Sequence, residues 1–324
     1  MYRCINDVNE IPVSDNTLVV MFGFPGVGKS FAAEKIAEQF DAYIASSDAI
    51  REELFGTAAC QDEPNKVFGI LQHRATEELK AGGSVIIDAT ALIRKYRVSN
   101  LKTYEGKFKK AIVVVCCTDL DIAFNQNKNR DRHVPEEVIM HMLKTMSFPR
   151  MDEGWDEIYL LKHPDNNKTM EAYLNDCDGV LHNNTHHPLN IKDHMLACES
   201  YLKKTYPDDS IAAHAARYHD LGKPISKDNK LRKGKEIIDD KYSHYYGHAD
   251  ISAYLIACAT DGTMEDLVLS LYHMDHYFNK EHLASFEKLY PELKESYIRL
   301  TEADEVCDKW GVENGFSIEP GFEG

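Results

Sequence analysis

Gly23-Phe24-Pro25-Gly26-Val27-Gly28-Lys29-Ser30 decides the fold of the first half of this 324-residue chain. The spacing is that of a phosphate-binding loop. Gly23, Gly26 and Gly28 let backbone N–H groups turn onto phosphate oxygens. Lys29 reaches the β- and γ-phosphates, and the Ser30 hydroxyl is a ligand for Mg²⁺. The flanks agree with this reading. Thr17-Leu-Val-Val-Met-Phe22 has the composition of a buried strand, and Phe31-Ala-Ala-Glu-Lys-Ile-Ala-Glu38 has helical spacing. Bound phosphates would therefore meet a helix N-terminus. ATP and Mg²⁺ are the expected cofactors.

Outward from the loop, apolar strand runs at 17–22, 42–46, 84–88 and 111–117 alternate with amphipathic stretches at 29–40, 49–55, 65–81 and 96–104. The segment 119–148 reads as helix with a charged break at 128–133, and a last strand is expected near 157–161. Strands separated by helices predict an α/β domain over residues 1–165, a parallel sheet with helices on both faces. From about residue 165 the β-branched runs end. Helices are expected at 190–205, 209–218, 248–260, 264–274 and 290–309, giving an all-α domain over residues 180–324. Twelve of the fifteen histidines lie after residue 160, so the second domain carries a different chemistry.

A hydrophobic content of 43% and a charged content of 28% are those of a soluble globular protein. There is no apolar run of bilayer length, and the first residues lack a signal-peptide core. Eight scattered cysteines without C-x-x-C pairs read as reduced thiols, so a cytoplasmic protein is expected. A net charge of −16 argues against broad non-specific nucleic-acid binding and leaves room for a local basic groove, for which Lys107, Lys109 and Lys110 are candidates.

Three strings say what the phosphate loop serves. Ile86-Ile87-Asp88 is a strand ending in a carboxylate, suited either to Mg²⁺ or to the acceptor, or else to capping a turn. Asp48 in Ser46-Ser47-Asp48-Ala-Ile-Arg51 can take the proton of an attacking hydroxyl, with Arg51 one turn on to grip a phosphate. The plainer reading is a helix N-cap with a surface arginine. Arg130 and Arg132, before His133-Val-Pro, suit a lid closing on the transferring phosphoryl group, or a solvated turn. No guanine-recognition string is present.

Taken in order, Gly-x-Pro-Gly-x-Gly-Lys-Ser, Ser-Asp-x-x-Arg, Ile-Ile-Asp-Ala-Thr, Asn-x-x-Arg-x-Arg-x-Val-Pro and Phe148-Pro-x-x-Asp-Glu-Gly-Trp-Asp156 resemble the kinase domain of polynucleotide 5′-hydroxyl kinases over about residues 17–162. The resemblance implies Asp48 as general base, Arg51 on the acceptor's phosphate, Arg130 or Arg132 on the transferring group, and Asp88 at the acceptor site. Ala91 stands where that family often has Asn, and Gln126 where an arginine is common.

The second domain has its own signature. His219-Asp220-Leu-Gly-Lys223 places two metal-ligating residues side by side at a helix end. His194, His248, His273 and Asp304 supply further ligand types, each on a separate helix, as helical di-metal sites require. The ordering resembles the HD phosphohydrolase superfamily over about residues 180–309, and most of all the HD domains of tRNA nucleotidyltransferases. The resemblance implies one metal on His194, His219, Asp220 and Asp304, and a second on His248, His273 and a bridging Asp220. Lys223 would bind substrate phosphate, with a metal-activated water as nucleophile. Imidazole with carboxylate suits Mn, Fe, Co, Ni or Zn better than Ca. His186, His187 and His244 are candidates for substrate or supporting contacts, whereas His182, His214 and His276 read as surface or satisfied core residues.

The combination suggests end-healing of broken nucleic acid. The kinase would phosphorylate a 5′-hydroxyl of RNA, and the HD domain would remove a 2′,3′-cyclic phosphate or a 2′- or 3′-phosphate. Cleaved tRNA is one candidate substrate, and a ligase would act downstream. Known fusions of this content carry the HD domain first, whereas here it follows the kinase. The alternative is a small-metabolite or nucleoside kinase fused to an HD nucleotidase, which the acidic charge favours. A non-catalytic nucleotide sensor is the third class, and two intact sets of catalytic residues weigh against it.

Overall fold

Six strands, β1 (Tyr2–Ile5), β2 (Thr17–Phe22), β3 (Ala42–Ser46), β4 (Ser84–Asp88), β5 (Lys110–Cys117) and β6 (Glu157–Lys162), form one sheet in the order β1-β6-β5-β2-β4-β3. Every pairing in it is parallel. The computed structural model describes residues 1–60, 62–130, 132–184, 186–228, 230–231, 235–236, 243–278 and 280–322. The chain divides into two compact units: Met1–Met142 with Pro149–Asn166, and Leu143–Phe148 with Asn167–Gly324.

All six residues of β2 and the last seven of β5 are buried, which is why they read as unbroken apolar runs rather than alternating ones. From β2 the chain crosses to one side for β3 and β4, then to the other for β5 and β6. The order therefore reverses beside β2, and ligands of open α/β sheets bind in the crevice at such a point. The helices are α1 (Lys29–Phe40), α2 (Ser47–Phe55), α3 (Pro64–Lys80), α4 (Arg94–Tyr104), α5 (Leu120–Lys128) and α6 (Glu136–Thr145). The phosphate loop joins β2 to α1.

β1 was not expected from the sequence. Four residues are too few for periodicity to register. It is held by pairing with β6 and by the Tyr2 hydroxyl, which donates to the Pro149 carbonyl at 2.7 Å.

The string around Glu153 turns out to be a lock beneath the loop after β4. Arg97 and Glu153 are wholly buried and bidentate, Nε to Oε2 at 2.8 Å and Nη2 to Oε1 at 2.5 Å. Trp155 Nε1 donates to the same carboxylate at 2.9 Å, and Arg97 Nη1 donates to the Ala91 carbonyl at 2.8 Å. Ala91 has φ +46°, a left-handed conformation that Asn, the residue its position often carries in the resembled kinases, adopts more readily. Removing one member of such a pair leaves a buried charge uncompensated. Arg97→Met is expected to cost about 3–5 kcal/mol, read as a lowered midpoint in denaturant melts. An unchanged midpoint would show the pair to be dispensable.

The second unit is built of α7 (Met170–Asp176), α8 (Ile191–Thr205), α9 (Ser210–Ala216), α10 (Lys223–Ser226), α11 (His248–Cys258), α12 (Met264–Tyr272), α13 (Asp275–Phe278), α14 (Lys280–Leu289) and α15 (Lys294–Glu313). α8 packs on α9 and α15, α9 on α12 and α15, and α11 on α12. The expectation of an all-α unit is corrected by one short antiparallel strand pair, β7 (Lys230–Leu231) with β8 (Lys235–Glu236). Two residues a side leave no pattern to read. α7 and α14 were also not foreseen. No helix among the described residues is long and apolar enough to cross a membrane.

Half-exposed His214 joins α9 to the start of α12, with Nδ1 2.9 Å from Asp266 Oδ1. That hydrogen bond raises the imidazole above its ordinary value, despite partial burial. The folded state thus binds this proton more tightly than the unfolded state. Its stabilisation is full below about pH 6.5 and fades as pH rises through the raised value. The stability lost on His214→Gln should therefore be larger at pH 6 than at pH 9. An equal loss at both would remove the linkage.

Candidate active sites

The first site lies at the C-terminal edge of the parallel sheet. Gly23, Gly26 and Gly28 all have positive φ. Gly26 is the most constrained, because a Cβ there would come within 2.2 Å of the Ala123 carbonyl oxygen. Lys29 Nζ donates to the Phe24 carbonyl at 3.0 Å, folding back across the loop. Burial lowers its pKa, and Cys116 and Asp88 oppose that shift. Ser30 Oγ donates to Asp88 Oδ2 at 3.1 Å, so the two oxygens that could share a Mg²⁺ are neighbours. Burial pushes the Asp88 carboxyl up, against the pull of Lys29.

Asp48 stands at the start of α2, capped by Ser46 Oγ bonding to the Ala49 amide. Its side chain is 51% exposed. Arg51 Nη1 donates to Asp48 Oδ1 at 2.9 Å and Arg132 Nη1 to Oδ2 at 3.2 Å. Arg51 is itself buried and lies over the Phe68 ring. The structure thus gathers Asp48, Arg51 and Arg132 into one group. Arg130 is exposed and acts on Lys29 and Asp88 through its field.

Beside the loop is a cavity of about 460 Å³ whose walls include Val27, Phe31, Thr118, Gln126 and His163. Gln126 Nε2 and His163 Nε2 are 2.9 Å apart. Gln126, singled out as a departure from an expected arginine, is therefore part of this wall.

Lys107, Lys109 and Lys110 do not line a groove beside Asp48. They precede β5 or open it, whereas the phosphate loop and Asp48 follow the C-terminal ends of β2 and β3. Eight residues of strand, at about 3.3 Å each, separate the two edges. Lys110 is instead paired with Glu157 at 2.5 Å.

The second site is assembled from five places in the second unit. His194 comes from α8, His219 and Asp220 from the turn after α9, His248 from the first position of α11, His273 from the end of α12, and Asp304 from α15. His194 Nε2 lies 3.0 Å from Asp304 Oδ1, and His219 Nε2 lies 3.3 Å from Asp220 Oδ2 and 3.4 Å from Asp304 Oδ1. On the other side, Asp220 Oδ1 is 3.2 Å from His248 Nε2 and 3.6 Å from His273 Nε2. Asp220 faces both groups, one oxygen to each. The turn carrying it lies tight on α11, because a Cβ at Gly222 would approach the His248 carbonyl to 2.3 Å.

The outer nitrogens fix which way the rings face. Nδ1 of His219, His248 and His273 lies 2.7 Å from the Ala216, Tyr245 and Ser270 carbonyls, and His194 Nδ1 lies 2.9 Å from Asp308 Oδ1. A carbonyl accepts only N–H, so those three imidazoles turn bare Nε2 lone pairs inward in their neutral form, and Asp308 orients His194 in the same way. His219 Nε2 and both Asp220 oxygens are buried without a hydrogen-bond partner of good geometry. His248 and His273 bring their Nε2 atoms to 3.1 Å of each other. Inward lone pairs, buried carboxylates and unsatisfied atoms fit a divalent transition-metal ion.

The buried charges are tightly coupled. Burial alone would raise Asp220, but Lys223, His219 and His248 hold it well below the usual carboxylate range. Burial opposes protonation of His219, yet Asp220 and Asp304 lift it to about 9. Burial, reinforced by His219 and His248, takes His273 down to about 3.

Lys223 Nζ lies 2.5 Å from Asp220 Oδ2 and 3.1 Å from His182 Nε2. His182 is fully buried, bonded to the Leu189 carbonyl and stacked on His187 at 4.4 Å. It is thus a satisfied core residue that also reaches Lys223, a contact its place in the sequence did not signal. His187 Nδ1 meets Asp308 Oδ2 at 2.6 Å and joins the cluster through it. His186 is exposed and bonded through its backbone to Asn184. Asp308 was missed, although its four-residue spacing from Asp304 puts both on one helix face.

A family model described as an AAA domain matches residues 18–149. The first unit is a P-loop domain of the kinase-like type. Such domains work with ATP and Mg²⁺. Solved structures that resemble the chain include a candidate kinase from Chloroflexus aurantiacus J-10-fl, with 20% identity over 35% of this chain and 66% of that one, TM-score 0.32. A gluconokinase from Sinorhizobium meliloti 1021 shares 20% identity over 44% of this chain and 81% of that one, TM-score 0.33. A chain of the Pnkp1/Rnl/Hen1 complex shares 21% identity over 37% of this chain and 41% of that one, TM-score 0.32. The match spans less than two thirds of the first and third of these chains. Likeness at this level decides neither acceptor nor reaction.

Proposed function

We propose that the chain is a bifunctional end-healing enzyme. Its P-loop unit phosphorylates a 5′-hydroxyl end of a polynucleotide, with RNA as the proposed substrate. Its helical unit is an HD-type phosphohydrolase acting on a 2′,3′-cyclic phosphate or a 2′- or 3′-phosphate. The observation that carries the kinase half is Asp48, half exposed and gripped by both Arg51 and Arg132. A carboxylate so placed accepts the proton of an attacking hydroxyl while the new O–P bond forms and ADP leaves. Two guanidinium groups beside that base suit an acceptor carrying a phosphate next to its hydroxyl, as a nucleotide chain end does and a bare sugar does not.

In the helical unit, a bound divalent ion supplies Lewis acidity and lowers the pKa of a water. His194, His219, Asp220 and Asp304 would hold one ion, and His248 and His273 with Asp220 a second. Asp308 and the three backbone carbonyls keep the imidazoles turned inward. Lys223, ion-paired to Asp220 and 3.1 Å from His182 Nε2, keeps an N–H group for an incoming phosphate.

The decisive assay supplies labelled ATP with a 5′-hydroxyl RNA, a nucleoside 3′-monophosphate and gluconate in parallel. Label is expected on the RNA end. Label on gluconate alone would overturn the reading. One observation favours a second reading, a kinase of a small phosphorylated metabolite: the three candidate groove lysines lie at the far edge of the sheet. Label on the monophosphate but not the RNA would select it.

A further inference from the structure

Cys198 lies one helical turn from His194 on α8, so both side chains share a face. It is fully buried. Its Sγ is 3.8 Å from His194 Nε2, the nitrogen turned toward the cluster. His194, Cys198, His219 and Asp304 each offer one ligand atom, all within 4.8 Å of one another. Donors about 2.0–2.3 Å from one ion stand about 3.3–3.8 Å apart at tetrahedral angles and about 2.8–3.3 Å apart at the right angles of a five-coordinate set, which these four would make with Asp220. The spacings here are 3.8 Å from His194 to Cys198, 3.0 Å from His194 to Asp304 and 3.4 Å from His219 to Asp304. His219 Nε2 and the Asp220 oxygens, buried without a hydrogen bond of good geometry, point independently to an ion at this place.

We propose that Cys198 is a thiolate ligand of the first metal in this cluster. The inference rests on the metal-site reading above and adds a soft donor to it. As the ion enters, the Sγ–metal bond forms and the thiol proton leaves to solvent, with no change of oxidation state. A sulfur in the set favours Zn²⁺, Co²⁺ or Fe²⁺ over Mg²⁺. Cys307 serves as the internal contrast. Its Sγ lies 3.5 Å from His194 Nδ1, the nitrogen already turned to Asp308 and away from the ion.

The test titrates the metal-stripped protein with Co²⁺ and reads two signals. Visible d–d bands report a bound ion, and near-ultraviolet sulfur-to-cobalt charge transfer reports a thiolate ligand. The wild type and Cys307→Ser should show both. Cys198→Ser and Cys198→Ala should keep the visible bands, lose the charge transfer and bind Co²⁺ at least about tenfold more weakly. X-ray absorption on the zinc-loaded wild type needs no variant and should show a Zn–S distance of about 2.3 Å. Visible bands without charge transfer, charge transfer that survives removal of Cys198, or only N/O scattering at zinc would each overturn the ligand and leave the metal site standing. Absence of visible bands in the wild type would remove the metal site itself, and this proposal with it.

Discussion

Lys29→Met is expected to lower phosphoryl transfer by about 10²–10³-fold and to leave the fold intact. In the resting structure the ammonium makes one described hydrogen bond, to the Phe24 carbonyl. Little packing is lost when an unbranched apolar chain of similar length replaces it. What goes is the only positive charge in the Gly23–Ser30 loop, needed where negative charge spreads over the γ-phosphoryl oxygens. Single-turnover transfer from labelled ATP measures the loss, and a far-ultraviolet spectrum checks the fold. The hydrolase activity proposed for the second unit should be unchanged. Transfer within threefold of wild type would refute the role of the loop, and loss of both activities would indicate one coupled site.

Asp220→Asn should have the complementary effect. The wild-type carboxylate places one oxygen 3.3 Å from His219 Nε2 and 2.5 Å from Lys223, and the other 3.2 Å from His248. Removing its charge takes a shared anionic ligand from both proposed metal positions, and several kcal/mol of charge stabilisation with it. That corresponds to about 10³-fold or more in hydrolysis. A second effect follows from burial. Lys223 and the His219 imidazolium lose their counter-ion where water cannot replace it, so the metal-free variant should be less stable by about 3–5 kcal/mol. Metal content per chain, hydrolysis of a cyclic phosphodiester and denaturant melts give three separate readouts. A variant that keeps full metal occupancy and hydrolysis would show that Asp220 bridges nothing.

Sequence legibility followed the range of the interactions involved. Strands β2, β4 and β5 could be read because burial on both faces makes each an apolar run long enough to recognise. The phosphate loop could be read because its glycines are demanded locally, by backbone shape. Sequence also placed His194, His219, His248, His273 and Asp304 in separate helical segments. β1, β7 and β8 escaped, since elements of two to four residues take their form from the partner they pair with.

Residue order alone determined a phosphate loop between a strand and a helix, and a histidine-rich helical half after it, because both signals are carried by near neighbours along the chain. Tertiary structure decided the rest. It put Arg132 on Asp48 across 84 positions of sequence and turned Glu153 into a buried lock for Arg97. It carried Lys107, Lys109 and Lys110 to the opposite edge of the sheet. In the second unit it chose which nitrogen of each imidazole faces inward and brought Cys198 to the same centre. Those outcomes depend on strand direction, on helix packing and on which carbonyl lies within reach of a ring N–H, none of which near neighbours in sequence can specify.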